Sequence, residues 1–389
     1  MYSSFHLGAN LQIVQLQKYY IEGRCMDRST KTPLALLLIA SFSIAATYLL
    51  ALNGPGSLTE ISRPPTAVSP QTLNTSGVWY AVYFTDRTLE RFSGGPDEPL
   101  VEAIDQAQIS VEVAAYDLSL WSVRDALLHA QARGVTVRVV MEADNADREE
   151  VQQLIAAGIP VVTDTSEDGW MHDKFIILDR QGVWTGSMNY TLNDAYRNDN
   201  NLIWISSPEV AEVYLKEFEE MFTEGLFGAE SPREAGGRSF SVSGTNLEVW
   251  FSPDDGVSAR IVELINSAEV SIHFLAFSFT SNDIADAIIT RGEAGVLVQG
   301  VFDEGQLDNP GGEFARMLTE GLDVRLDANP DKLHHKVIVI DGKIVLTGSY
   351  NFSASAEERN DENLVVIFSE EVARVYLEEV KRVVGEAGE

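Results

Sequence analysis

At 389 residues, with 45% hydrophobic and 22% charged side chains, the chain is too apolar to be disordered and long enough for two domains of roughly 150 residues each. Its net charge of −31 disfavours a protein that tracks a long polyanion by counterion release. The single cysteine, Cys25, precedes the folded part, which excludes a disulfide framework and a thiolate metal site there, so stability rests on packing.

The first predicted element is the charge-free apolar stretch from Pro33 to Leu52, with Lys18, Arg24, Arg28 and Lys31 on its amino side and a polar, Pro/Ser-rich stretch after it. About twenty apolar residues span a bilayer. The basic flank predicts a cytoplasmic amino end, a single-pass anchor and an extracytoplasmic remainder at the cell membrane. A cleaved signal peptide, giving a secreted protein, is the alternative, with Met26 as a second possible start. This divides the chain into a basic segment (1–32), an anchor or signal (33–52), a linker (53–76), a first domain (77–227), a Gly/Ser-rich linker (228–246) and a second domain (247–389). From residue 71 onward the chain carries 23 basic and 56 acidic side chains, a net of −33.

In the first half, strands are predicted at 78–84, 110–115, 135–141, 160–162, 174–178 and 201–205. Helices are predicted at 98–106, 122–133, 148–157 and 208–222. The second half repeats the order, with strands at 247–251, 270–275, 296–302, 336–340 and 363–367 and helices at 258–267, 282–291 and 370–384. Strands alternating with helices indicate α/β architecture, a sandwich in each half.

One pattern occurs twice: His-x-Lys, four residues, Asp, six residues, Gly-Ser-x-Asn. It lies at His172, Lys174, Asp179, Gly186, Ser187 and Asn189, and again at His334, Lys336, Asp341, Gly348, Ser349 and Asn351, each offset by 162. Nine of the eighteen residues from His172 to Asn189 recur at that offset. Side chains two apart on a strand share a face, so each histidine lies beside its lysine. Two imidazoles, two ammonium groups and amide or hydroxyl donors are the groups needed to grip a phosphodiester and attack it. The lysines would neutralise the non-bridging oxygens, with Ser187, Asn189, Ser349 and Asn351 as further donors. Asp179 and Asp341 would orient a histidine or start a turn. His335 points to the opposite face and reads as structural. Trp170 would line the mouth of the site or pack in a loop. Tyr116, Asp117, Phe277 and Ser278 follow equivalent strands beside the expected site.

Both copies match the HxKxxxxD motif of the phospholipase D superfamily, including the trailing Gly-Ser-x-Asn, and the resemblance runs over roughly residues 77 to 389. It implies two duplicated α/β sandwich domains, each a mixed sheet flanked by helices, related by a pseudo-twofold axis with both histidines facing one phosphate. It implies catalysis by His172, Lys174, Asp179, His334, Lys336 and Asp341 through a phosphohistidine, with His172 as nucleophile and His334 as acid. No cofactor or metal is needed in that scheme. An acidic or amide residue in the stretch 198–201 or its counterpart 360–363 supports each histidine in this family. Glu362 is the expected partner, although its counterpart is Asn200. The expected substrate is a phospholipid, hydrolysed or transphosphatidylated beside the membrane, with no obligate protein partner. The alternatives are a metal-independent nuclease of the same superfamily, which the Trp250-Phe251-Ser252-Pro253 opening resembles, and a silent binding or scaffold protein. Acidity makes nucleic acid the less favoured substrate.

Overall fold

The structure is a computed structural model that describes residues 79–89, 92–166, 168–232 and 237–387. The expected anchor and the segments around it lie outside these residues. Among the described residues, no helix is long and apolar enough to cross a membrane.

The first half begins with β1 (Tyr80–Phe84), α1 (Asp97–Gln106), β2 (Ser110–Ala115), α2 (Trp121–Ala132), β3 (Thr136–Met141), α3 (Glu149–Ala156) and β4 (Val161–Thr163). It continues with β5 (Lys174–Leu178), β6 (Gly182–Gly186), α4 (Leu192–Tyr196), β7 (Asn201–Ile205) and α5 (Pro208–Glu219). The second half runs β8 (Arg238–Val242), β9 (Thr245–Ser252), α6 (Val257–Asn266), β10 (Ser271–Ala276), α7 (Asn282–Glu293), β11 (Leu297–Phe302), α8 (Phe314–Thr319) and β12 (Asp323–Leu326). It ends with β13 (Lys336–Ile340), β14 (Ile344–Gly348), α9 (Ala354–Glu358), β15 (Glu362–Phe368) and α10 (Glu370–Glu386).

Among the described residues the strands form a seven-stranded sheet ordered β1-β7-β6-β5-β2-β3-β4 and an eight-stranded sheet ordered β12-β11-β10-β13-β14-β15-β9-β8. Read from β8, the second repeats the first with one added edge strand. Both sheets are mixed, because β2, β3 and β4 run parallel, as do β10, β11 and β12, while the remaining pairings are antiparallel. The added strand β8 occupies part of the stretch expected to be a linker. Its alternating Ser residues are mostly exposed, as suits an edge.

The apolar side chains sort into three cores. The outer face of the first sheet packs on α1, α2 and α3, and the outer face of the second on α6, α7 and α8. The third core is shared: Phe175, Ile177, Val337 and Val339 from the motif strands meet Tyr214 of α5 and Tyr376 of α10. Ser207 and Ser369 cap these two helices, each hydroxyl accepting the N–H three residues on. Apolar burial at about 1.5–3 kcal/mol per large side chain is what lets β5 and β13 also carry buried lysines.

The strands β6 and β14 went unseen in the sequence because each ends in the Gly-Ser pair, which reads as loop. Each glycine closes its strand onto the next. Gly186 and Gly348 have φ of 143° and 150°, and a Cβ at either would lie 2.4 Å or 2.2 Å from the carbonyl oxygen of Asn201 or Asn363.

Candidate active site

The two halves exchange backbone hydrogen bonds at the points where the motifs begin. The His172 N–H donates to the Asp361 carbonyl (3.0 Å) and the Asp361 N–H to the Trp170 carbonyl (3.0 Å). In the same way, the His334 N–H donates to the Asp199 carbonyl (2.9 Å) and the Asp199 N–H to the Lys332 carbonyl (2.7 Å). This register puts the first residues of β15 beside His172 and those leading into β7 beside His334. Each histidine is therefore supported by the opposite half.

His172 Nδ1 lies 2.7 Å from Glu362 Oε2, the residue expected to support a histidine. His334 Nδ1 lies 2.9 Å from Asn200 Oδ1 and 3.3 Å from Asp194 Oδ1. The orientation of the Asn200 amide is fixed by its neighbours: its Nδ2 donates to Asp194 Oδ1 (2.8 Å), and its Oδ1 accepts from the Ser187 hydroxyl (2.8 Å). Oδ1 is thus the atom facing the ring, so His334 carries its proton on Nδ1 and presents a free Nε2. The Glu362 carboxylate selects the same tautomer in His172.

Lys174 and Lys336 are buried and donate to the carbonyls of His172 (2.6 Å) and His334 (2.8 Å), which ties each ammonium to its own histidine. Burial, then the charges of Lys174 and Lys336, holds the His172 imidazole well below its ordinary value; His334 is lowered by burial and the same two lysines. Burial also brings Lys174 down to about 8 and lowers Lys336, and pushes the Glu362 carboxyl up to about 7 against the pull of Lys174.

An aromatic ring flanks each imidazole edge-on, Tyr116 against His172 and Phe277 against His334, both with centroids 4.7 Å apart. Lys174 lies over Tyr116 and Lys336 over Phe277, each 5.0 Å from the ring centre. The walls beyond these differ. Half-exposed Trp170 stands 6.3 Å from the His172 ring, whereas its counterpart is exposed Lys332, whose ammonium lies 5.5 Å from Phe277.

Several expected site residues are placed elsewhere. Asp179 and Asp341 lie at the far ends of β5 and β13, about 16 Å along the strand from the lysines at 3.3 Å per residue. Each occupies the first left-handed position of a tight turn, with φ of 52° and 53°. The Asp179 carboxylate accepts the N–H groups of Gln108, Ile109 and Ser110, and Asp341 those of Glu269, Val270 and Ser271. They are clips that fasten the start of a neighbouring strand, not groups that touch a histidine. Ser187 and Ser349 are also corrected: both are fully buried, with their oxygens accepting from Asn201 and Asn363, so neither hydroxyl faces a phosphate. Asn189 donates to Asp194 (3.2 Å), and Asn189 and Asn351 each keep a buried carbonyl oxygen without a partner. His335 binds Glu379 (3.1 Å) and Asn201 (3.1 Å) in the shared core.

Three supporting residues were missed. Glu142 and Asp303, at the ends of β3 and β11, accept the N–H of the residue before each histidine, Met171 (2.9 Å) and Leu333 (2.8 Å). Their signal was an acid after equivalent strands in both halves. The third, Asp194, had no matching acid to reveal it. Among the described residues one carboxylate trio, Glu217, Glu220 and Asp254, brings its oxygens within 4.8 Å of one another.

One family model, described as "Cardiolipin synthase, PLD-like domain", matches residues 100–222 and again residues 261–384, together more than half of the chain. A phospholipase D of Rickettsia prowazekii is 35% identical over 137 residues, covering 35% of this chain and 67% of that protein. A human mitochondrial cardiolipin hydrolase is 29% identical over 125 residues, 32% of this chain and 50% of its own. The crystal structure of phosphatidylserine synthase from Haemophilus influenzae Rd KW20 superposes on 78% of this chain and 86% of its own with a TM-score of 0.58. At 15% identity that likeness is one of fold alone.

Proposed function

Since the chain belongs to the phospholipase D superfamily, we propose that it hydrolyses a phospholipid phosphodiester, or transfers its phosphatidyl group, through a phosphohistidine. The observation that carries this reading is the pairing of His172 with Glu362 and of His334 with Asn200 across the two halves, which leaves both Nε2 atoms free beside two buried ammonium groups.

In the proposed reaction His172 Nε2 attacks phosphorus, and the bond from phosphorus to the leaving alcohol oxygen breaks. His334, protonated, gives its Nε2 proton to that oxygen. The neutral His334 then takes a proton from water, whose oxygen attacks phosphorus and releases His172; an alcohol in place of water gives transfer. Lys174 and Lys336 face the charge on the non-bridging oxygens in a site shielded from solvent, where a fixed cation is worth more than in water. An anionic substrate offsets the two ammonium groups and so raises the affinity of His334 for the proton it donates. Glu362 stabilises the charge that develops on His172 as the phosphorus–nitrogen bond forms.

Two features support a lipid over a polymer. The chain beyond residue 70 carries a net charge of −33, so its surface repels a long polyanion while the buried lysines suit one phosphate. Half-exposed Trp170 offers an apolar wall beside His172. In the same proposal the apolar stretch 33–52 tethers the catalytic unit to the extracytoplasmic face of a membrane.

The test uses the full chain with phosphatidylcholine vesicles, single-stranded DNA and a nitrophenyl phosphodiester. Choline release with intact DNA is expected. DNA cleavage without choline release would replace the lipid by nucleic acid and leave the chemistry standing. For the mechanism, H334N incubated with the nitrophenyl diester, whose leaving group needs no proton, should accumulate a phosphoryl adduct on His172, read by peptide mass spectrometry. An adduct on His334 in H172N would exchange the two roles.

A further inference from the structure

The two supports behind the histidines differ in a compensating way. At the first position of β15, Glu362 brings a carboxylate directly to His172, whereas its counterpart Asn200 brings only an amide. Six residues earlier the difference is reversed: α4 carries Asp194, and the equivalent position of α9 is Ala356. From this we propose that Asp194 is the positioning residue of His334, supplying the carboxylate that Asn200 has lost. The inference rests on the phosphodiesterase reading above.

The contacts support it. Asp194 is buried, with Oδ1 3.3 Å from His334 Nδ1. Its Oδ1 also accepts from Asn200 Nδ2 (2.8 Å), so the amide passes its effect to the ring through a second route. Asn198 Nδ2 donates to the same oxygen (3.2 Å), and in the other half the equivalent Asn360 Nδ2 donates instead to Glu362 Oε1 (3.5 Å). The same asparagine thus attends the carboxylate in each copy, wherever that carboxylate sits. Thr191 and Asn189 bind Oδ2 (2.7 and 3.2 Å), which fixes the side chain.

A structural reading of Asp194 is answered by the molecule itself. The helix α9 has the same hydroxyl cap, Ser353 in place of Thr191, accepting from the Ala356 N–H (3.2 Å) as Thr191 does from the Asp194 N–H (3.1 Å). An alanine at this position is therefore compatible with the local fold. What the carboxylate adds in α4 is negative charge beside His334. An imidazole that carries a proton to the leaving oxygen needs such a charge, since an amide alone orients the ring without stabilising its cation.

The experiment compares the full chain with D194A, D194N and the double variant D194A/N200E, which gives the first half the arrangement of the second. In D194A and D194N, kcat on the lipid should fall on the order of 10²-fold with KM little changed, while thermal melting reports an intact fold. The double variant should recover most of that loss, because its new carboxylate meets His334 as Glu362 meets His172. A merely structural role would not be restored by moving the charge to another residue. Wild-type kcat in both single variants, or a folded double variant as slow as D194A, would overturn the proposal; if D194A does not fold, D194N against N200E in the D194N background decides in the same way. Failure of the underlying reading shows separately, as absence of diester turnover in the unsubstituted chain.

Discussion

A carboxylate in this molecule is functional or structural according to which backbone it faces. Asp179 belongs to a motif that promises catalysis, yet its oxygens are taken by the N–H groups of residues 108–110 at the far end of β5. Asp179→Ala should therefore lower stability by about 1–3 kcal/mol through three orphaned amides, with kcat nearly unchanged. Denaturant unfolding and steady-state kinetics on one preparation check both parts. The lysines make the opposite case. Burial brings Lys174 down to about 8 and lowers Lys336 in the same sense. As pH rises through about 8 the free enzyme loses a positive charge facing the phosphate, so kcat/KM should decline there. A bound anion favours the charged lysine, so kcat itself should decline only at higher pH. Rate profiles from pH 6 to 10 would show the separation, and a kcat/KM flat to pH 10 would count against it. The six motif positions were readable because duplication marks them. Asp194 was not, since it works by contact across space and has no repeat.

At the scale of elements, the motif strands were readable for their unbroken apolar runs, and both matched at their ends. The strands β6 and β14 were not, because the glycine that lets each close on the next carbonyl also looks like a break. The loop before each histidine is held by an acid at the end of the strand two places away in the sheet, a relation fixed only once β3, β2 and β5 lie in that order. Within the motif, Asp173 shows a conflict between charge and position. It is fully buried on β5's amino side, takes one hydrogen bond from Asn363 (2.6 Å), and leaves Oδ2 without a partner. Burial pushes its carboxyl up to about 7. Its folded value exceeds its unfolded one, so the folded chain holds an extra proton between about 4 and 7, and this group's penalty grows across that window and is complete above 7. Asp173→Asn keeps the acceptor and removes the charge. It should raise the melting temperature by several degrees at pH 8 and by much less at pH 4, close to the unfolded value, where little of that penalty has built up. Melts at the two pH values test this, and an equal shift at both would refute the titration.

For the whole molecule, the two halves are joined by a network that repeats from one copy to the other. Thr185 and Tyr214 donate to Asn363 (2.7 and 3.1 Å), while Thr347 and Tyr376 donate to Asn201 (2.8 and 3.2 Å). The α/β class and the duplication were legible in the chain, and the exchange of supports between halves was not, because no periodicity encodes which copy faces which. Since both histidines and both supports come from one chain, mixing H172A and H334A chains should restore no turnover. Recovery toward a quarter or more of wild-type rate would mean that two chains share a site. Fusion of the copies carries a further consequence. A symmetric pair of identical chains must print every substitution on both sides of its axis, so neither flank can change without the other. Here Trp170 corresponds to Lys332 and Asp194 to Ala356, so a single gene lets the two flanks differ, as the proposed division between attack and proton delivery requires.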